Sequence, residues 1–135
     1  MTDQEILALL DNCVEGLMFM SESDFPLTPF VWPAEEVGGE LTGEALRRHR
    51  GYPADAKIER IEAAAFFERL TRIEEGLSPQ RLKAAAGFRE LWHRMSETLT
   101  DLRVFRLGRI RIDVFVAGRA PSGAWAGVSS TVIET

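Results

Sequence analysis

The sequence predicts an α+β fold, with helices packed on a twisted, mainly antiparallel sheet that finishes in a C-terminal hairpin. Three observations carry that expectation. Apolar residues recur at helical spacing near the start and in the middle of the chain, and strict alternation takes over from Arg103 onward. A length of 135 residues with 45% apolar composition suits one domain, 1–135, that buries its core without disulfides or metal.

The first helix is expected from Asp3 to about Met18. Ile6, Leu10, Cys13, Val14 and Leu17 share one face, Thr2 or Asp3 is placed to cap, and Gly16 stands near the end. The LMFM that follows is apolar throughout and fits a buried strand or a helix end equally well. PLTPFVWP carries prolines at 26, 29 and 33, which remove ladder donors, so it reads as an edge strand or an irregular crossing segment. The stretch Ala34 to Asp55, rich in glycine and containing RRHR (Arg47 to Arg50), is the least structured, with room for a short helix over Gly43 to His49. Lys57 to Ile61 reads as a short strand leading into a helix from Glu62 to about Thr71.

Ser78 as N-cap and Pro79 at the first helical position open a long helix that reaches about Leu99. Its apolar face reads Leu82, Ala85, Phe88, Trp92, Met95 and Leu99. Beyond it, Ile110, Ile112, Val114 and Val116 alternate with Arg109, Arg111, Asp113 and Phe115. Gly118 to Gly123 then turns the chain into Trp125 to Thr135, where Ala126, Val128 and Val132 alternate with polar neighbours. That is a hairpin with one buried face. Phe105 and Leu107 have the opposite parity, so Gly108 marks a bulge, a bend or a second turn. Trp92, Phe105 and Trp125 read as core residues.

The net charge of −5 is unevenly spread, since the chain has no Lys or Arg before Arg47 and ten of its acids lie in that first third. Acidic density repels nucleic acid and suits a basic protein surface. An exposed cluster of Glu22, Asp24, Glu35 and Glu36 is expected on the side of Thr135. The only cysteine, Cys13, excludes an internal disulfide. No run approaches the roughly 18 apolar residues of a spanning helix, and MTDQE is acidic where a signal peptide is basic. These features predict a soluble cytoplasmic protein, monomeric when free, with no membrane partner.

Candidate chemistry is sparse. His49 and His93 lack ligand partners at helical spacing, which argues against a metal site. His49 belongs to RRHR, read as a solvated basic cluster. The glycine-rich AGRAPSGAWAG joins two strands, where a phosphate loop would open a helix. Ser21 and Ser23 have no His base nearby in sequence. Nothing here calls for an enzyme or a cofactor. The conspicuous polar stretch is FMSESDFP, which holds Ser21, Glu22, Ser23 and Asp24 between apolar flanks.

LMFMSESDFP followed by FVWP, together with VFRLGRIRIDVFVAGRAPSGAWAGVSSTVIET, resembles the signature blocks of the nuclease A inhibitor family. KIERIEAAAFF and the N-terminal helix extend that resemblance over most of the chain. The resemblance implies an α-β-α sandwich and a protein that inhibits a nonspecific, magnesium-dependent endonuclease without catalysis, a cofactor or direct contact with nucleic acid. It implies further that Glu22 and Thr135 enter the nuclease active site near its Mg²⁺, with Ser21, Ser23, Asp24 and Glu134 on the same partner-binding edge. Carboxylate and hydroxyl oxygens are the hard ligands such an ion takes. Two other readings use the same residues: a helix-to-strand turn whose serines and acids cap freed N–H groups, and a binding module for another basic or metal-bearing partner.

Overall fold

The computed structural model describes residues 1–135. Its centre is a five-stranded antiparallel sheet in the order β3-β7-β6-β5-β4, and a separate two-stranded hairpin, β1-β2, sits beside it. The strands of the large sheet are β3 (Thr28–Trp32), β4 (Ile58–Ile61), β5 (Thr100–Gly108), β6 (Arg111–Arg119) and β7 (Trp125–Ile133); the hairpin is β1 (Met18–Phe19) and β2 (Phe25–Pro26). The helices are α1 (Asp3–Val14), α2 (Gly43–His49), α3 (Ala63–Thr71) and α4 (Pro79–Thr98), with a short 3₁₀ turn over Ala34–Val37. This is the α+β fold expected.

Local chemistry sets the helix ends. Thr2 and Glu5 form a reciprocal capping box on α1, Thr42 caps α2 through the Ala45 N–H, and Ser78 caps α4 through the Arg81 N–H ahead of Pro79. Helix α1 stops at Val14, short of the expected Met18, because Gly16 takes a left-handed φ of 73° and turns the chain into β1. Strand β3 is an edge, and Pro29 pairs with Val128 there, where its missing N–H costs the ladder nothing.

The sheet is covered on both faces, as the α-β-α sandwich of the resemblance implies, whereas the alternation alone had indicated a hairpin with one buried face. On one face α1, α3 and α4 close over Ile6, Leu10, Phe67, Phe88, Leu91, Met95, Val104, Val114, Val116 and Val128. On the other, α2 and the 3₁₀ turn close over Trp32, Val37, Leu41, Leu46, Phe105, Leu107, Phe115 and Trp125. Phe115, set among polar alternates in sequence, faces this second core. Buried residues therefore run almost without a break through the middle of β6 and β7.

Other differences have local causes. Gly108 opens the β5-β6 turn, the second turn among the expected alternatives, and stays paired with Ile112, while the irregularity in β5 lies between Thr100 and Arg103, where Asp101 has a φ of 52°. Ile110 sits on that turn, exposed. On α4, Leu82 is exposed and Leu91 is fully buried, so the buried stripe is rotated from the expected one. Phe105 and Trp125 are core, but Trp92 is only half-buried, stacked on Phe67 at the core margin. Residues of RRHR form the last turn of α2; His49 packs its ring against Trp32 and lies within 3.4 Å of Glu36, so it is half-buried instead of solvated. Burial, followed by the nearby Glu90 carboxylate, raises the Cys13 thiol above its ordinary value.

Trp125 fastens the second layer. The guanidinium groups of Arg103 and Arg119 stand 4.7 and 4.5 Å from the centre of its indole, whose N–H donates to Gly39 O at 2.8 Å. Arg103 also donates to Leu41 O and to Glu40 at 2.6 Å, and Arg119 donates to Gly39 O and Glu40. The loop Gly39–Leu41 is thus held by three side chains from the sheet.

Two measurements test this packing. A Cβ at Gly127 would stand 1.8 Å from Val116 O, a backbone atom that cannot yield, whereas one at Gly87 would meet only the tip of Leu17. Gly127→Ala should therefore lose about 3 kcal/mol or more in urea denaturation, and Gly87→Ala should stay within about 1 kcal/mol, helped by helix propensity. A wild-type midpoint for Gly127→Ala would contradict the close approach.

The second concerns pH. The hydrogen bond from Arg103 holds the exposed Glu40 carboxyl below its ordinary value of 4.5. As pH falls, the unfolded chain takes up that proton first, so the stabilisation is complete above about 4.5 and is lost as pH drops through the lower folded value. Glu40→Gln should flatten the acid side of the melting-temperature profile below pH 4.5. A parallel profile for the two proteins would show that Glu40 does not titrate against the arginines.

Candidate partner-binding site

Three pieces of chain meet at one end of the large sheet. The loop joining β1 to β2 carries Ser21 to Asp24, the β5-β6 turn carries Ile110, and the last residues of β7 run out beside both. Antiparallel pairing of Arg111 with Ile133 brings the end of β7 level with the β5-β6 turn, and Glu134 N–H donates to Ile110 O at 2.9 Å. The ladder thus continues one residue past the strand.

Ser21 ties the loop to this end. Its hydroxyl donates to Ser23 O at 2.6 Å, closing the tight turn, and accepts from Ile133 N–H at 3.2 Å. Ser130 adds a second tie, donating to Pro26 O at 2.8 Å from the middle of β7. These contacts bring Glu22 and Thr135 together across 113 residues of sequence, and the Thr135 hydroxyl donates to Glu22 Oε1 at 2.5 Å.

Glu22 and Asp24 are exposed and neither has an ion-pair partner in the chain. Ser23 is exposed as well, with its backbone carbonyl engaged by Ser21. Glu134 differs, because its carboxylate is paired with Arg106 at 2.7 Å and so turns toward the sheet face under α3. No group of three or more His, Cys, Asp or Glu residues able to hold a metal ion forms anywhere in the chain, and no helix is long and apolar enough to cross a membrane. Chemically, the edge offers a free carboxylate and a hydroxyl side by side on a braced backbone, an arrangement that ligates or accepts hydrogen bonds.

A family model described as nuclease A inhibitor-like protein matches residues 4–135, nearly the whole sequence. The chain belongs to this family. No curated protein matches it individually. Within a nuclease A inhibitor-like protein the expected site residues Ser21, Glu22, Ser23, Asp24, Glu134 and Thr135 lie around one end of the sheet, but the expected four-acid cluster does not form. Glu35 and Glu36 follow Trp32, which pairs with Trp125 at the start of β7, a strand-length of roughly 27 Å away from Ile133 at its other end. The lack of early basic residues was a statement about sequence, and the β3-β7 crossing divides that acidic third between the two ends of the sheet.

Ser21, expected on the contact edge, is used internally, as in the alternative reading of a turn whose serines cap freed N–H groups. Arg106 carried a signal in VFRLG: it shares parity with Val104, which places it on the helix-covered face opposite Phe105 and Leu107. Ser21→Ala should leave the fold intact, cost about 1 kcal/mol and raise hydrogen exchange at the Ile133 amide about tenfold over its β7 neighbours. Exchange at Ile133 unchanged from wild type would mean that the loop does not brace the strand.

Proposed function

We propose that this protein inhibits a nonspecific, metal-dependent nuclease by inserting the Glu22 and Thr135 edge into the enzyme's active site. Membership of the nuclease A inhibitor-like family supports the inhibitor class. The observation that carries the finer reading is the pairing of an exposed carboxylate, free of any intramolecular cation, with the Thr135 hydroxyl.

The mechanism follows from what a nuclease metal requires. A catalytic Mg²⁺ keeps several waters and takes hard oxygen ligands, ordinarily including the substrate phosphate. In this reading the Glu22 and Thr135 oxygens occupy the place of that phosphate and its water. Glu22 has no internal cation to give up on binding, so it approaches the metal without losing an ion pair. Glu22 and Asp24 also favour approach to a surface built to hold nucleic acid. The inhibitor performs no chemistry; it excludes the substrate.

The test is a titration into a magnesium-dependent nonspecific nuclease, followed by plasmid degradation, with full protection expected near equimolar ratio. Deleting Thr135 should weaken inhibition by about 2–5 kcal/mol, the range for removing one partner of a buried charged contact, with little change in melting temperature. Glu22→Gln keeps the acceptor for Thr135 but removes the charge, and should weaken inhibition similarly. The double variant should lose less than the sum if both groups act on one metal. A Thr135 deletion that inhibits as well as the intact chain would end the metal-directed mechanism.

A further inference from the structure

Arg106 has bonding capacity that the fold does not use. The alternation of β5 turns its guanidinium onto the helix-covered face, opposite Val114 and beneath α3. The side chain is only 18% exposed, and Nη2 donates to Glu134 at 2.7 Å. Its Nε is buried without any hydrogen-bond partner.

Beside this guanidinium a cavity of about 280 Å³ opens between α3 and the sheet. Phe19, Ile61, Phe66 and Leu70 supply an apolar wall, with the Phe19 and Phe66 rings tilted at 56° to each other, 5.8 Å apart. Arg69, which forms no ion pair, joins Arg106 on the polar side, and Glu134 is the only carboxylate lining the space. Two guanidinium groups facing one carboxylate leave a net positive charge beside an apolar wall. Its complement is a small anion with a flat hydrophobic body. An inorganic anion would ignore the wall, and a neutral hydrocarbon would ignore the arginines. The volume equals that of about nine waters at roughly 30 Å³ each, which fits one aromatic ring bearing one acid group.

We propose that this cavity is a binding site for small aromatic carboxylates, with the acid group on Arg106 and the ring against Phe19 and Phe66. Arginine and carboxylate match as a two-point fork, so the incoming acid competes with Glu134 for the same guanidinium. Glu134 can yield, since its side chain is 53% exposed and turns readily to water. The site stands whether or not the protein inhibits a nuclease.

Benzoate and its neutral analogue benzamide test the proposal on the full chain, by titration followed through amide chemical shifts. Benzoate should give saturable shifts in β1, α3 and around Glu134, with benzamide about tenfold weaker or more, the effect of a charge-assisted hydrogen bond. Arg106→Met should abolish the preference between the two. Glu134→Gln, a surface change that spares the fold, should tighten benzoate by removing the internal competitor and leave benzamide unchanged. Shifts that do not saturate, equal binding of the two probes, or a Glu134→Gln protein that binds benzoate no better than wild type would each overturn the site.

Discussion

Burial of the central strands on both faces is the constraint from which the rest follows. A sheet with one wet face fixes its register through a single set of side chains, but β6 and β7 present Val114, Val116 and Val128 to one core and Phe115, Ala117 and Trp125 to the other. Sliding either strand by one residue would exchange two different packing surfaces at once. Trp125 closes the arrangement, since the loop that covers it is bound to the same two arginines that pack against its ring. A Gly is required at 127 because the strand passes so near Val116 O that a side chain has no room.

That rigidity is carried to the polar edge. Strand β7 remains in register with β6 as far as Ile133, and the Glu134 amide still finds Ile110 O. The serines then divide their work from the acids. Ser21 and Ser130 spend their hydroxyls on backbone partners, which holds the β1-β2 hairpin against the sheet. Glu22 and Asp24 are left without cations, although Arg106 and Arg111 lie on neighbouring strands; Arg106 is taken by Glu134, and Arg111 rests over the Phe25 ring. The free carboxylates are thus a product of how the arginines are already committed.

What could be read from sequence was mostly what is local. Ser78 with Pro79, Thr2 with Asp3, and the prolines of PLTPFVWP act within a turn or a strand, and α4, α1 and β3 start or lie where they indicate. The end of α1 was misjudged because apolar residues continue into β1 with nearly the same spacing, and only the backbone of Gly16 separates the two. The second core was implied only by the α-β-α sandwich of the resemblance and not read from the alternation, because its parts, Trp32, Val37, Leu41, Leu46 and Phe115, are scattered through glycine-rich and polar stretches and form a surface only once the sheet exists. Phe115 among polar alternates was the available sign. The nearness of Glu22 and Thr135 came from resemblance alone, since no periodicity links residues 113 apart. The division of Glu22 from Glu35 depends on the direction of β3, a property of topology that composition does not encode.

The strand order also bears on how the molecule assembles. Strands β4 to β7 pair with sequence neighbours or across a helical excursion, but β3 must find β7 by matching Thr28 with Ser129 and Trp32 with Trp125. Closing a loop of about a hundred residues costs more entropy than closing hairpins, and contacts of such separation slow folding. Topology therefore favours β3 joining a sheet already built, and the β1-β2 hairpin, tethered to β3 by Leu27 alone, comes with it. A partly folded chain would present Thr135 with no Glu22 beside it, so the two-oxygen edge exists only in molecules that have completed their longest-range pairing.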